Sequence, residues 1–472
     1  MNPLEISTDE FRRLTAQITE LACEYLEHLD AQPIAPATTG TDTLRLFRTP
    51  LPEAGLGEDA LKALPQVVQR SRAQNGRFFG YVLGSGEPVG AVADLLASVL
   101  NQNVTAWRSG PAAVTIEQTV MNWLTEAIGC PGFSGHFTGG GSSANLMGLA
   151  IARETKLAAN KKGLSATGVI YASTEIHMSI PKSIALLGIG HDNLRQIATD
   201  EAFRMIPQEL EASILQDKAA NRIPLAVVAS AGTVSTGAID PLRQIGEIAH
   251  RHGTWFHIDG AYGALAAIAD RPRFDGMELA DSISLDPHKW LYQPLDCGCL
   301  LYRSPEAARK TFSHTGDYAR SLNADPVEGF AFFEESMELS RRFRALKVWL
   351  SLRYHGLAAF RASIAKDMAQ ARRLADAIRN EPQLELMAPV GLSAVCFRYR
   401  GAESLPEAER NRQNLAILRR VIEQGRVYLS NATLGGKFCL RACIVNHRTR
   451  DTDVDCVIPE VLKAVNATFP QA

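Results

Sequence analysis

Short runs of β-forming residues alternate with helix-length segments from about residue 76 onward. The runs include "GVIYAS", "LAVVASAG", "TWFHID", "SISL" and "CGCLLYR", and helical patterns such as "TIEQTVMNWLTEAIG" accompany them. Because parallel strands need long crossover connections, this alternation predicts an α/β fold in which helices sandwich a mostly parallel sheet. Ligands bind such sheets at the carboxyl ends of the strands. The groups that follow the strand ends are therefore the first candidates for a functional site.

Two further regions flank this α/β part. Residues 5–29 repeat apolar side chains at helical spacing, and a Pro- and Thr-rich break follows. From about residue 356 a long helical pattern leads to "AVCFRYR" and "KFCLRACIVN", which indicates a smaller α+β domain. We predict an N-terminal helical segment at 1–75 that packs on a partner subunit, a large domain at 76–355 and a small C-terminal domain at 356–472.

Charge and hydropathy exclude several classes of partner. The 472 residues contain 49 Lys and Arg against 51 Asp and Glu, whereas nucleic-acid and membrane-surface proteins normally have a basic excess. No apolar stretch approaches the roughly 20 residues needed to cross a bilayer. We therefore expect no nucleic-acid partner and no membrane association.

Cysteine usage and the N-terminus favour the cytoplasm. The acid-containing N-terminal segment is unlike a signal peptide, and eight cysteines in a chain of this length form no disulfide framework. Cys297 and Cys299 lie two apart on an apolar strand without nearby ligand partners, so we expect buried thiols and no metal site.

A glycine-rich turn, "HFTGGGSSANLMGLAIARE", includes Gly141 and Ser142 and opens a helix that begins near Ser143. Backbone N–H groups at a helix N-terminus suit a phosphate, and glycines allow its close approach. The turn lacks the Gly-Lys-Ser/Thr ending of a P-loop and is not a full dinucleotide fingerprint. A purely structural turn is the alternative.

Three ionisable residues follow other strands. Asp259 ends "TWFHID", with Gly260 and Ala261 next to it, and is either a helix cap or a carboxylate for a basic ring nitrogen. His177 follows "GVIYAS", where a lone histidine is more often structural. Lys289, in "DSISLDPHKWLYQP", follows the end of another predicted strand. A lysine at such a position is usually a solvent-exposed charge.

Taken together, these groups suit one cofactor. A phosphate cradle, a carboxylate for a ring nitrogen, small residues that leave room for a flat ring, and a lysine that forms an imine are what pyridoxal 5'-phosphate requires. Any other interpretation has to explain each group separately. We therefore predict this cofactor.

The same segments carry a resemblance to a known family. They are "HFTGGGSSANLMGLAIAR", "EIHMSIPKSIALLG", "FHIDGAYG", "ADSISLDPHKWLYQPLDCG" and "SRRFRALKVWLSLRYHG". The chain resembles, over about residues 10–460, the group II pyridoxal-phosphate-dependent amino-acid decarboxylases, in a layout close to the aromatic-L-amino-acid decarboxylases. The resemblance implies an aspartate-aminotransferase-like fold (fold type I) and a homodimer with its site at the subunit interface. It also implies decarboxylation of an L-amino acid, with aromatic substrates favoured.

The resemblance further implies roles for single residues. Lys289 would hold the cofactor covalently, Asp259 would keep its ring nitrogen protonated, and His177 would stack on the ring. The other expected cofactor contacts are the phosphate-binding groups, a residue under the ring and a neighbouring loop: Gly141, Ser142, His288, Ala261 and Thr233. On that loop Val234 stands where the aromatic enzymes have a threonine.

The chain departs from the resemblance before "SRRFRALK". In the aromatic decarboxylases a mobile loop there carries a tyrosine that reprotonates the substrate carbon. Counting back from Arg341 without a gap places Phe332 at that position, and no tyrosine occurs from 319 to 353. Phenylalanine cannot donate a proton. Either another donor such as His177 or Lys289 acts, or the loop aligns differently. The remaining alternative is that the product is an aldehyde with ammonia and hydrogen peroxide, as in related aldehyde synthases.

The substrate pocket departs as well. Asn103 and Thr105 stand where aromatic decarboxylases tend to have an apolar residue and a phenylalanine, while Phe78 and Tyr81 are the expected aromatic walls. Unpaired buried polar atoms cost about 1–3 kcal/mol each, so polar walls favour a substrate that forms hydrogen bonds. We expect an aromatic amino acid, with aliphatic, acidic or hydroxylated side chains as alternatives.

Overall fold

The computed structural model describes residues 2–314, 325–402 and 404–469. The strands are β1 Ser134–Thr138, β2 Gly168–Ser173, β3 Leu194–Ile197, β4 Ile223–Ser230, β5 Trp255–Asp259, β6 Ser282–Leu285, β7 Gly298–Tyr302, β8 Leu384–Leu386, β9 Ala394–Tyr399, β10 Ser430–Leu434 and β11 Lys437–Cys443. The α-helices are α1 Thr8–Glu27, α2 Gly40–Phe47, α3 Leu64–Arg70, α4 Pro88–Leu100, α5 Pro111–Ile128, α6 Gly141–Leu157, α7 Ala159–Lys162, α8 Ser179–Leu186, α9 Pro207–Ala219, α10 Leu242–Arg251, α11 Pro287–Trp290, α12 Pro305–Phe312, α13 Ala345–His355, α14 Leu357–Arg379, α15 Glu407–Gln424, α16 Asp451–Asp455 and α17 Val457–Thr468.

The large sheet has the strand order β1-β7-β6-β5-β4-β2-β3. Its neighbours run parallel, except that β7 pairs antiparallel with β1 and with β6. The mostly parallel sheet predicted from the sequence alternation is therefore confirmed. No helix in the described ranges is both long and apolar enough to cross a bilayer.

Alternate residues of the central strands enter two separate cores. Tyr171, Val227 and Phe256 pack on one face with side chains of α5 and α10. Ile170 and Val228 pack on the opposite face with side chains of α6 and α8. Burying one large apolar side chain stabilises the fold by about 1.5–3 kcal/mol, so both helical layers are held firmly on the sheet. Strands covered on both faces have apolar residues at nearly every position, as in "LAVVAS".

The C-terminal part forms the predicted smaller α+β domain. Its antiparallel sheet has the order β10-β11-β9-β8; α14 and α15 pack against it, and α17 packs on α15. Val395, Phe397 and Leu440 contribute to the core between this sheet and these helices. Gly356, at φ +76°, separates α13 from α14. The domain boundaries at 75/76 and 355/356 stay predictions.

Candidate active site

A cavity of about 450 Å³ opens where the parallel strands of the large sheet end. It is lined by Tyr81, Val82, Gly139, Gly140, Gly141, Ser142, Ser143, Asn145, His177, Gly232, Val234, Asp259, Ala261, Tyr262, Asp286, His288, Lys289, Leu295 and Arg441. The loops after β1, β2, β4, β5 and β6 bring most of these residues together, because parallel strands end at the same edge of a sheet. The structure thus assembles several groups that the sequence predicted separately: Tyr81, Gly141, Ser142, His177, Asp259, Ala261, His288 and Lys289.

Lys289 is enclosed in this cavity. Its side chain is only 17% exposed, and its Nζ lies 2.9 Å from Oδ2 of the buried Asp286. Oδ1 of Asp286 has no hydrogen-bond partner in the described part of the chain. The neighbouring His288 donates from Nδ1 to the carbonyl of Cys297 at 2.7 Å, which fixes its ring on the cavity wall. Lys289 is therefore not the solvated charge that usually ends a strand.

The carboxylate of Asp259 is held by three donors. Its Oδ1 accepts hydrogen bonds from Oγ of Ser284 and from the backbone N–H of Ala261, each at 3.2 Å. Its Oδ2 accepts from Nδ2 of Asn145 at 3.1 Å. Ser284 is the direct neighbour of Asp259 across the β5–β6 pair. This network fixes the plane of the carboxylate at the end of β5.

The hydrogen bonds of His177 define its tautomer. Its Nδ1 accepts from the backbone N–H of Ser179 at 3.2 Å and lies 2.9 Å from Oγ of the same serine. Because an amide N–H can only donate, Nδ1 of the neutral ring is unprotonated and the hydrogen is on Nε2. Burial lowers the pKa of His177 below its usual value. The neutral ring therefore offers one N–H donor, at Nε2.

The N-terminus of α6 fits a phosphate. The backbone N–H groups of Gly141 and Ser142 donate no hydrogen bond within the described residues, and Gly140 provides no side-chain cap. A Cβ atom on Gly141 would lie 2.6 Å from Cβ of Ala261, and one on Gly298 would lie 2.3 Å from Cα of Gly140. The turn therefore requires glycine, and its free donors at a helix N-terminus attract an anion. The residues present fit pyridoxal phosphate.

Two predicted contacts are not on the cavity wall. Thr233 is buried, with its Oγ1 hydrogen bonded to Oγ1 of Thr236 at 2.9 Å, and it also accepts from the backbone N–H of Ala238. Phe78 is buried and stacks on Tyr428 with ring centroids 5.1 Å apart. These side chains stabilise the surroundings of the cavity and do not line it. Their expected contacts with cofactor and substrate stay predictions.

Asn103 and Thr105 are also absent from the wall of the described cavity. Oδ1 of Asn103 accepts from the backbone N–H of Arg341 at 2.9 Å, and the carbonyl of Thr105 accepts from the N–H of Phe333 at 3.2 Å. Within one chain these residues fix the segment around Arg341. Any contact that they make with substrate stays a prediction.

Phe332 is buried and does not line the described cavity. Its side chain is 1% exposed, the guanidinium of Arg341 lies 4.3 Å from its ring centroid, and Phe330 contacts it edge-on at 4.8 Å. Its expected place beside the substrate stays a prediction. Tyr318, the nearest tyrosine upstream, lies outside the described residues.

Several wall residues were missed by the sequence reasoning: Val82, Asn145, Asp286, Leu295 and Arg441. Asn145 had a detectable signal, because with Gly141 and Gly148 it forms one face of α6 at helical spacing. Arg441 had none, since it comes from β11 of the small domain. Its Nε donates to Oγ of Ser430 at 3.1 Å and its Nη1 donates to the carbonyl of Val234.

Known proteins share both the sequence and this fold. Residues 44–400 match the pyridoxal-dependent decarboxylase conserved domain. The chain is 35% identical over 453 residues to an aromatic-L-amino-acid decarboxylase of Bacillus atrophaeus, covering 94% of this chain and 93% of the relative. It is 31% identical over 467 residues to a phenylacetaldehyde synthase of Petunia hybrida, covering 93% and 91%. The crystal structure of Oryza sativa TDC with PLP and tryptamine matches with a TM-score of 0.92 at 26% identity, covering 99% of each chain.

These matches confirm the family resemblance, fold type I and the pyridoxal phosphate cofactor that the sequence predicted. The family match covers well over half of the 472 residues, and it includes the segments that form the cavity. The chain therefore belongs to the family of pyridoxal-dependent decarboxylases.

Proposed function

We propose that this enzyme removes the α-carboxylate of an aromatic L-amino acid. The substrate takes up one proton and yields one amine and one carbon dioxide. The observation that carries the proposal is the enclosure of Lys289, Asp259 and His177 around one cavity whose edge is the free N-terminus of α6.

The residues of this chain divide the work of binding and orientation. When bound, pyridoxal phosphate supplies the electron sink that accepts the electron pair left by departing carbon dioxide. Lys289 is placed to hold the cofactor covalently, and Asp259 to keep a proton on its ring nitrogen. The Nε2 hydrogen of His177 can bind the substrate carboxylate, and the residue that holds this carboxylate selects the bond that breaks.

An aromatic substrate is supported from two sides. The Bacillus relative is named for aromatic amino acids, and the Oryza structure contains tryptamine. In this chain the cavity wall includes the ring of Tyr81 and the apolar side chains of Val82, Val234 and Leu295. Apolar and aromatic walls with few polar groups are typical of sites for flat apolar ligands.

The amine is the expected product. Aldehyde formation would consume one oxygen and one water per amino acid and release carbon dioxide, ammonia and hydrogen peroxide. The only argument from this chain for that reaction was Phe332, which is buried beside Arg341. The Petunia relative is nevertheless an aldehyde synthase, so the two products have to be measured together.

The first test measures both products. We expect the cofactor-loaded enzyme, incubated in air with L-phenylalanine, L-tyrosine or L-tryptophan, to release amine and carbon dioxide in equal amounts without peroxide. If Tyr318 is the proton donor, Tyr318→Phe should shift the product toward aldehyde and peroxide, because the substrate carbon then waits longer for a proton. Tyr354→Phe, at an exposed tyrosine of α13, should leave the product unchanged.

Aldehyde and peroxide in equal amounts from the unaltered enzyme would contradict the proposed product. No turnover of any of the three aromatic amino acids would contradict the proposed substrate class. A product ratio unchanged in Tyr318→Phe would remove Tyr318 as the donor and leave His177 and Lys289 as candidates.

We also infer a homodimer. No residue of α1 is buried, and Phe11 and Ile18 on it are 41% and 44% exposed. On α4, Val92 and Val99 are 65% and 56% exposed. Apolar faces of this extent normally lie against another protein, and symmetric pairing of identical chains is the commonest solution. In a dimer, Asn103, which lies just after α4, could contact the cavity of the partner subunit.

Sedimentation equilibrium should give the mass of two chains. Ile18→Asp combined with Val99→Asp should shift the mass toward one chain, because each aspartate would be desolvated in the interface. Leu215→Asp, at a 52% exposed leucine of α9, is the matched control and should leave the mass unchanged. A single-chain mass for the unaltered protein would contradict the inference.

A cytoplasmic location and the lack of a nucleic-acid partner are part of the same proposal. The near balance of 49 basic and 51 acidic residues argues against a nucleic-acid partner. The eight cysteines form no disulfide framework, which supports a compartment that keeps thiols reduced.

A further inference from the structure

A buried chain of polar side chains leads from the large sheet to the cavity. Asn145 is at the centre of this chain, on the face of α6 that packs on β5. The side chain of Asn145 is almost completely buried. The amide nitrogen of Asn145 donates to Oδ2 of Asp259 at 3.1 Å and to Oγ of Ser179 at 2.9 Å. Its Oδ1 lies 2.9 Å from Nε2 of His257. Asn145 therefore contacts three polar residues at once.

The direction of each hydrogen bond toward the sheet follows from its partners. An amide oxygen only accepts, so Nε2 of His257 carries the hydrogen. Nδ1 of His257 lies 2.8 Å from Oγ of Ser282, which also accepts from Nε1 of Trp255 at 2.9 Å. Burial lowers the pKa of His257 to about 4, so the ring is neutral near pH 7 and Ser282 donates to Nδ1.

The other branch leads to the cavity. Oγ of Ser179 accepts from Asn145, and its hydroxyl donates to the unprotonated Nδ1 of His177. The two amide hydrogens of Asn145 are thus committed to Asp259 and to Ser179. If the amide were reversed, its oxygen would face the carboxylate of Asp259. That contact would be repulsive, so one orientation is strongly favoured.

We propose that Asn145 is a positioning residue that holds Asp259 and His177 in one fixed arrangement, and that His257 supports it by donating to its amide oxygen. This inference rests on the proposed function, in which Asp259 pairs with the ring nitrogen of the cofactor and His177 stacks on the face of the cofactor ring. Errors in either position would displace the ring from its partners, and a site loosened in this way loses both affinity and rate.

A purely structural role for Asn145 makes a different prediction. Helix α6 approaches β5 closely, since a Cβ atom on Gly148 would lie 2.8 Å from Cε1 of His257. If Asn145 only satisfied buried polar groups in this contact, its removal would lower the free energy of unfolding and leave cofactor affinity and the Nδ1 resonance of His177 unchanged.

The test replaces Asn145 by alanine in the full-length enzyme and measures the Kd for pyridoxal phosphate by titration of the apoenzyme. We expect the Kd to rise by about 10- to 100-fold, because Oδ2 of Asp259 loses its donor. With the cofactor in excess, kcat should fall while KM changes little. Nitrogen NMR of labelled histidines should show a shifted Nδ1 resonance of His177, because the Ser179 hydroxyl loses the donor that orients it, while the backbone N–H of Ser179 keeps the hydrogen on Nε2.

Asn414→Ala is the matched control. Asn414 is fully buried and donates to the carbonyls of Tyr399 and Arg410, but it lies in the small domain and does not line the cavity. This variant should lose stability with an unchanged Kd. At His257, glutamine keeps a donor near Nε2 and should preserve most of the affinity, whereas His257→Leu should resemble Asn145→Ala.

An unchanged Kd and an unchanged Nδ1 resonance of His177 in a folded Asn145→Ala variant would overturn the proposal. If that variant does not fold, Ser179→Ala tests the cavity branch alone, because it removes the hydroxyl but keeps the backbone N–H. An unchanged Kd and an unchanged Nδ1 resonance there would overturn the proposal equally. The proposed function fails in a different way, when the unaltered enzyme neither binds pyridoxal phosphate nor releases amine.

Discussion

Replacing Lys289 by alanine should remove both the visible absorbance of the cofactor-loaded enzyme and its turnover. The side chain is enclosed in the cavity with its Nζ 2.9 Å from Asp286, and no other lysine lines the described wall. A covalent link to the cofactor needs an amine at that position. The measurement is an absorbance spectrum after incubation with pyridoxal phosphate and gel filtration.

In this experiment, a loss of folding stability has to be distinguished from a loss of the covalent link to the cofactor. Lys289→Ala leaves the buried Asp286 without its partner, which lowers the free energy of unfolding by about 1–3 kcal/mol. The double variant Lys289→Met with Asp286→Asn should recover this stability without recovering absorbance. Lys182→Ala, at an exposed lysine of α8, should keep both. Absorbance retained in Lys289→Ala would mean that another lysine binds the cofactor.

Replacing Asp259 by asparagine should lower kcat by about 10²- to 10³-fold, the size of effect seen when a fixed electrostatic group is removed from an active site. An amide carries no negative charge and does not favour a proton on the ring nitrogen. The Kd for the cofactor should rise less than the rate falls, because the phosphate-binding turn at Gly141 is unchanged. The measurement is kcat at saturating cofactor, together with the Kd.

Ser284→Ala is the matched control for Asp259. It removes one of the three donors to the carboxylate but leaves the charge in place, so only a small loss of rate is expected. A wild-type kcat in Asp259→Asn would show that the carboxylate does not act on the ring.

The sheet and the main site residues were predictable because both follow from local patterns. Apolar runs of strand length predicted parallel strands, and parallel strands collect their ends at one edge. Asp259 ends such a run, and Lys289 and His177 come within a few residues of the end of another, so their convergence could be expected without coordinates.

Other parts of the site depend on contacts that no local pattern contains. Arg441 and Leu295 line the cavity through the placement of a distant domain and of an irregular loop. The burial of Phe332 could not be predicted either, because a loop has no periodicity and counting residues across it does not fix a position in space. Its burial depends on Arg341, which is 2% exposed and pairs with the buried Glu117.

Asn145 is an intermediate case. The alternation of Trp255, His257 and Asp259 along β5 is visible in the sequence, and it places three polar groups on one face of the strand. The spacing of Gly141, Asn145 and Gly148 is also visible. Only the structure shows that these two faces meet, because the close approach of α6 to β5 is a tertiary contact.

Chemical mapping of the cofactor tests the central claim most directly. The cofactor-loaded enzyme would be reduced with borohydride, digested with trypsin and analysed by mass spectrometry. We predict the reduced cofactor on Lys289 in the uncleaved peptide 274–303, since trypsin does not cut after a modified lysine. A cofactor bound to any other residue, such as the buried Lys347, or the absence of a modified peptide, would contradict the account.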